Sequence, residues 1–339
     1  MKAILFPGDS EIDVVDLPDP EPGPGEVVIE MRVSGVCGTD LHYMRETPEQ
    51  RGERRHVVPG HEAAGVIVAV GAGVTRRRVG ERVIGYHHIG CNACHYCRLG
   101  IPTQCPNKRV TGRHIHGSDG QYEVLPEHGV FVLPDDLTFA DGAVLACNFS
   151  TAYSALMKVP VDARMRVAVF GQGGVGVCAT MIASAFGARV AAIDLADTRL
   201  ERARGSGAEI TLNPRNDDVR EALKAWSDGR GPDVVIECSG SSAAVDQGLS
   251  SLAPLGSMVF VGAGGTVNAD VSSFRSPEQR LLGTSVYRPG EYEPMIRLIR
   301  DKRLELTSIV EREHTIDEAR DAFDTMLRQD SGKVLFRWA

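Results

Sequence analysis

Four cysteines, Cys91, Cys94, Cys97 and Cys105, fall within fifteen positions of a 339-residue chain. Two-residue gaps let successive thiolates face one ion at about 2.3 Å in a tetrahedron, the geometry of a closed zinc site. Gly90, Gly100, Pro102 and Pro106 suit a tight lobe over residues 90–106. An iron–sulfur cluster takes the same ligands, but for a closed four-thiolate site structural zinc is the simpler reading. With all four valences filled by protein, such a metal would stabilise the lobe and not touch substrate.

A second constellation is a glycine loop. The apolar run Arg166–Phe170 leads directly into Gly171-Gln-Gly173-Gly174-Val175-Gly176, and a helical stretch follows. In this G-x-G-x-x-G spacing the first glycine permits the turn. The second lets backbone approach a pyrophosphate, and the third lets helix pack on strand. The pyrophosphate would then rest on the N–H groups and the positive dipole end of the helix. Asp194 closes the next apolar run, where a carboxylate would accept from both adenosine ribose hydroxyls. That carboxylate would repel the 2′-phosphate of NADP, so the expected cofactor is NAD, with Arg199 lying along the ribose edge.

These groups need two kinds of scaffold. Residues 1–145 hold short β-type runs broken by Gly and Pro, such as Glu26–Val33 and Gly65–Val70, which suggests a barrel-like β domain. From Val167 the pattern changes to apolar strands alternating with helices: strands at 166–170, 190–194, 233–237 and 257–261, helices at 175–186 and 198–203. Continuous apolar strands interleaved with helices predict a parallel sheet buried on both faces. After about residue 286 come helices near 292–300 and 316–327 and a last strand, 333–337.

Bulk properties exclude several functions. The net charge of −8 argues against nucleic acid as partner, and Arg76-Arg77-Arg78 reads as a solvated turn. No stretch approaches the ~18 consecutive apolar residues of a membrane span. The N-terminal MKAILFPGDSEIDVVDL, broken by proline and acids, does not read as a signal peptide. A cytoplasmic protein is expected, in which the eight cysteines point to metal binding rather than to disulfides. Cys178 and Cys238 carry no assignment beyond burial.

Three further ligand-type residues, Cys37, His61 and Cys147, are scattered, and their spacing alone makes no motif. Their neighbourhoods, however, read Gly35-Val-Cys37-Gly-Thr39-Asp40-Leu-His42, Pro59-Gly60-His61-Glu62-Ala-Ala-Gly65 and Cys147-Asn-Phe-Ser-Thr151-Ala-Tyr. With the four-cysteine lobe and the glycine loop, in that order, the chain resembles the zinc-containing medium-chain alcohol dehydrogenase family over nearly its whole length. The resemblance implies a GroES-like β-barrel catalytic domain (1–148 and 287–339) with a Rossmann NAD-binding domain (149–286) inserted. It implies two zincs per chain, one structural and one catalytic, the latter held by Cys37, His61 and Cys147 with a fourth position open. Many polyol- and threonine-type members have glutamate as third ligand; the Cys-x-Phe-Ser-Thr segment here looks instead like that of dehydrogenases of simple alcohols, with Asn148 departing from the usual glycine.

By the same resemblance, zinc would lower the pKa of an alcohol, Thr39 would contact its oxygen, and the proton would pass through the cofactor ribose to His42 and solvent. Asp40 would orient the His61 imidazole, Glu62 could approach the metal, and Thr151 would pack beside the nicotinamide. His87, on the segment expected to line the substrate site, is polar where many relatives are apolar and would suit a polyol or hydroxyl-bearing secondary alcohol. The expected activity is oxidation of a primary or secondary alcohol to aldehyde or ketone by NAD. A polyol or amino-alcohol dehydrogenase of the sorbitol or threonine type is the alternative, and a non-catalytic, zinc-stabilised NAD-binding protein the distant one. The expected assembly is a homotetramer, with a dimer as runner-up.

Overall fold

The computed structural model describes residues 1–328 and 331–338. The chain forms two compact units, Met1–Cys147 with Leu306–Ala339, and Asn148–Glu305.

The first unit is built on the strand Glu26–Val36, long enough to pair on both edges. The path across this seven-stranded sheet runs Val310–His314, Lys333–Arg337, Glu26–Val36, Ala63–Val70, Arg82–Gly85, Val130–Val132, with Tyr122–Pro126 also pairing with the central strand. Register shifts where Ala63–Val70 meets it mark bulges, which bend a sheet toward closure. Alternation puts Val27, Ile29 and Met31 into a core with Phe6, Ile67, Phe323 and Phe336. Site residues gather at one end of the central strand: Cys37 follows Val36, and His61–Glu62 precede Ala63, which opens the antiparallel neighbour opposite Ser34.

In the second unit six parallel strands lie in the order Ile210–Leu212, Arg189–Ile193, Arg166–Phe170, Val234–Glu237, Ser257–Phe260, Arg280–Gly283. The strand order reverses between Arg166–Phe170 and Val234–Glu237, and ligands of doubly wound sheets bind beyond the carboxyl ends of the strands at such a point. The strand Val234–Glu237 is fully buried, and the other inner strands are buried except for one terminal residue each, as their apolar runs require. Among the described residues no helix is long and apolar enough to cross a membrane.

The units divide elsewhere than the sequence suggests. The return to the first unit falls at Leu306 rather than 287. The helix Tyr292–Lys302 buries Tyr292, Met295, Ile296 and Ile299 and packs on the helix Ser150–Leu156, so it belongs with the parallel sheet.

Candidate metal centre and nucleotide loop

Cys37 caps the helix Gly38–Met44. Asp40, fully buried on its first turn, turns one carboxylate oxygen back to accept from the Cys37 N–H at 2.8 Å. Its other oxygen lies 3.3 Å from Nδ1 of His61. One aspartate therefore fixes the backbone of one ligand and the ring of another, leaving Nε2 of His61 to ligate. Cys147 is carried by the π-helical turn Leu145–Phe149, an irregularity common at functional sites. Ligand atoms of Cys37, His61, Glu62 and Cys147 all lie within 4.8 Å of one another.

The surroundings explain the ionisation. The Cys147 thiol donates to Cys37, and against the cost of burial His61 adds its charge, so the Cys37 thiol sits well below its ordinary value and ionises first. The Cys147 thiol is pushed up by the same hydrogen bond and by burial. Burial disfavours the charged His61, but Asp40 and Cys37 outweigh it and hold the imidazole well above its ordinary range. Glu62 is raised to about 7 by burial, with the Lys333 ammonium opposing. Two soft thiols, one of them already disposed to ionise, and an oriented imidazole are the donor set zinc takes, and a bound ion would displace the protons that Cys147 and His61 otherwise keep.

Sequence reasoning missed what stands behind this centre. Lys333, on the last strand, pairs with Glu62 and donates to the carbonyl of Val36 at 2.7 Å. A side chain at Gly35 would strike the Glu62 carboxylate, so glycine is required there. The turn carrying His61 is gripped by residues 117–119: Gly117 N–H donates to Val58 O, Asp119 N–H to Pro59 O, and the Ser118 hydroxyl accepts from Glu62 N–H at 3.2 Å. The Asp119 carboxyl accepts from Ser34, which accepts from the Trp338 indole, each at 3.1 Å. A lysine opening the apolar run Val334–Phe336 was the one legible signal, since a buried lysine needs a partner.

Thr39 and His42 lie exposed on the helix Gly38–Met44, with the Thr39 hydroxyl 3.9 Å from the Cys37 sulfur. The His87 ring is buried 4.9 Å from that of His61, its pKa held well below the ordinary value by burial and by His61.

The four-cysteine lobe is different. Cys91, Cys94, Cys97 and Cys105 also bring their sulfurs within 4.8 Å of one another, but only Cys105 is buried. Asn92 takes a left-handed conformation (φ 57°) to close the first turn, and the Cys91 N–H donates to the Cys105 sulfur at 3.3 Å. Backbone N–H groups of Ala93 and Cys94 lower the Cys91 thiol to about 6, whereas burial raises Cys97 to about 12. Four thiols free of disulfides and gathered this closely fit one tetrahedral zinc.

In the second unit Gly171 (φ 84°) follows the strand Arg166–Phe170, and the helix Gly174–Ala185 begins three residues later. A side chain at Gly176 would strike the Gly171 carbonyl, whereas Gly173 faces open space, and Gly174 packs against the Asn148 amide. Val175 lies in the first turn of that helix. Asp194 accepts from Gln172 N–H at 2.6 Å and Ala196 N–H at 2.9 Å, tying the second strand to the loop, with Arg199 3.9 Å away. Thr151 lies buried on the helix Ser150–Leu156.

Residues 23–135 match the alcohol dehydrogenase GroES-like domain and residues 174–301 the zinc-binding dehydrogenase domain. The chain is 30% identical to a sorbitol dehydrogenase of Halalkalibacterium halodurans, covering 99% of this chain and 98% of that one. It is 31% identical to an L-threonine 3-dehydrogenase of Pyrococcus abyssi, covering 96% and 94%. The structure superposes on an alcohol dehydrogenase from Thermus sp. ATN1 with a TM-score of 0.91 at 26% identity, covering 99% of both chains.

Proposed function

Because the chain belongs to the zinc-containing alcohol dehydrogenase family, we propose that it oxidises a primary or secondary alcohol with NAD at a site organised by Cys37, His61 and Cys147. The observation that carries this reading is the convergence of those three side chains, with Glu62, within 4.8 Å, around an imidazole already oriented by Asp40. Bound zinc would supply a Lewis acid that eases loss of the alcohol proton near neutral pH. The chain's own residues do the rest. The Thr39 hydroxyl, two residues from Cys37, can both accept from the substrate hydroxyl and donate to it. His42, exposed one helical turn after Thr39, would release the proton to solvent. The paired Lys333 holds the Glu62 carboxylate beside the ligands without leaving a buried charge alone.

NAD rather than NADP is supported by Asp194, whose carboxylate sits at the end of the second strand beside the loop Gly171–Gly176. The four-cysteine lobe would hold the second zinc. The His87 imidazole, polar and neutral beside His61, favours a substrate with more than one hydroxyl, as the name of the sorbitol dehydrogenase relative also suggests.

The test is NAD reduction over primary, secondary, aromatic and polyol alcohols, with and without a chelator, repeated with NADP. Chelator-sensitive turnover with a higher kcat/KM for NAD is expected. Binding of NAD without turnover, at one zinc per chain, would instead establish the non-catalytic reading.

A further inference from the structure

Residues 85–118 contain four cationic side chains (Arg98, Lys108, Arg109 and Arg113), five histidines and not one aspartate or glutamate, in a chain of net charge −8. The fold carries part of this stretch back beside the candidate metal centre. His88–Ile89 pairs antiparallel with Arg109–Val110, and the Thr111 N–H donates to the His87 carbonyl at 3.1 Å. His87 in turn stands 4.9 Å from the ligand His61 and 5.0 Å, edge-on, from His88.

Two cations of the stretch are held without a carboxylate, Arg113 against the helix that follows Cys37 and Lys108 close enough to His88 to lower its pKa. The Arg113 guanidinium lies 5.6 Å over the Tyr43 ring, its Nη1 3.4 Å from the phenol oxygen. Tyr43 belongs to the helix that bears Thr39 and His42, with its ring 6.2 Å from that of His42. Lys108 donates to the Thr103 carbonyl at 2.5 Å. Among the described residues neither has an acidic partner, whereas nearby Arg54 is neutralised by Glu46 at 2.9 Å. The field of these groups is shared: burial first, then Arg113, Arg54 and Lys108, lower His114. Burial, Lys108, His61 and His114 together lower His88 to about 4.

An independent observation points to a ligand. Nδ1 of His87, Nδ1 of His88 and Oγ1 of Thr111 are buried without a hydrogen-bond partner. His87 and Thr111 are 5% and 2% exposed, and the His87–Thr111 backbone bond joins their segments. Buried polar atoms in native proteins are nearly always satisfied, so each orphan calls for an explanation. A neutral imidazole and a hydroxyl both donate and accept, which matches substrate hydroxyls. Permanently charged Arg and Lys match an anion.

We propose that the alcohol taken at this site is a polyhydroxy anion: its carboxylate or phosphate is held by Arg113 and Lys108, and its hydroxyls meet His87 and Thr111. The inference rests on reading Cys37, His61 and Cys147 as the reaction centre.

The experiment uses the zinc-loaded enzyme and hexitols paired with the corresponding hexonates and hexitol 6-phosphates, so that members of a set differ in terminal charge. NAD reduction is measured at low and high ionic strength, and calorimetric titration measures binding of each compound independently of turnover. For at least one set the acid should exceed its hexitol by about tenfold or more in kcat/KM, as one charge-assisted contact can give. The better of the two acids identifies carboxylate or phosphate as the held group. The advantage should shrink as salt screens the charges, and Arg113→Gln or Lys108→Gln should cut the acid-to-hexitol ratio through KM of the acid. Hexitols turned over as well as the acids in every set would overturn the inference and leave the dehydrogenase reading intact. So would variants that raise KM for NAD while the ratio stays fixed. Tight binding of an acid without NAD reduction by any compound would sustain the anion site and sink the dehydrogenase reading.

Discussion

The two metal constellations use the same ligand element and are built in opposite ways. The Cys91–Cys105 lobe is local, partly exposed, and held by little more than its own turns and sulfurs. The Cys37, His61 and Cys147 centre draws on residues 110 positions apart and is packed inside a shell of buried polar side chains, among them Asp40, Glu62, Lys333 and Asp119. In the lobe, metal would make the structure. In the other centre the structure is made beforehand and offers the metal a place. Closed structural sites supply folding energy outright, whereas open sites depend on the groups that orient their ligands.

The sharpest way to break this contrast is to remove one ligand from each. Binding of zinc to four-thiolate modules is worth on the order of 10 kcal/mol. Cys105→Ser should therefore lose one zinc equivalent and lower the thermal midpoint by about 10 °C or more. Cys37→Ser should abolish NAD reduction while the midpoint moves by only a few degrees, roughly 4 °C or less. Metal analysis and calorimetry read both, and equal destabilisation by the two variants would dissolve the distinction.

Next in size is the Glu62–Lys333 pair, both residues at or near zero exposure. Lys333→Met strands a buried carboxylate that burial already raises to about 7, and breaking such a pair costs about 3–5 kcal/mol. Replacing both partners removes the stranded charge, so Lys333→Met with Glu62→Gln should regain more than half of the loss in urea unfolding. Additive effects would mean that the pair is not the reason Lys333 is buried.

Smaller still is the effect of Asp40, which touches both ligands but no substrate atom. Asp40→Asn should weaken zinc at the Cys37 centre by about 10–100-fold in chelator competition and leave the lobe's zinc unchanged. A uniform loss from both sites would point to general unfolding instead.

The same contrast explains what the sequence disclosed. The lobe and the loop Gly171–Gly176 are contiguous, so spacing alone exposes their chemistry, and the strand Arg166–Phe170 coincides with its apolar run. Cys37, His61 and Cys147 are joined only by the fold, and the resemblance to a family named them where spacing did not. Lys333, Asp119 and Ser34 were hidden because their value lies in partners 85 to 304 residues away. The helix Val219–Trp226 did leave a signal, Asp218 as its cap and Val219 and Leu223 one turn apart on the buried face. The edge strand Arg280–Gly283, mostly exposed, has no apolar pattern to read.

The subtlest difference between the regions concerns pH. Residues 85–118 hold no carboxylate, but near the other centre Glu123 is 1% exposed on the strand Tyr122–Pro126, with Oε2 lacking a hydrogen-bond partner. Burial, reinforced by Asp119, raises its carboxyl from 4.5 to about 8. The folded protein therefore keeps a proton that the unfolded chain releases from about pH 4.5 upward. Since the native state binds more protons, this group's contribution is most favourable below pH 4.5 and is lost as pH rises through 8, with a slope of at most about 1.4 kcal/mol per pH unit. Glu123→Gln keeps the shape and the neutral state but cannot ionise. With zinc held saturating, the variant and the parent should have similar unfolding free energies at pH 5, and the variant should pull ahead toward pH 8. Parallel curves across that window would show that Glu123 is ionised in the folded protein, and that the buried shell tolerates one more charge than its packing implies.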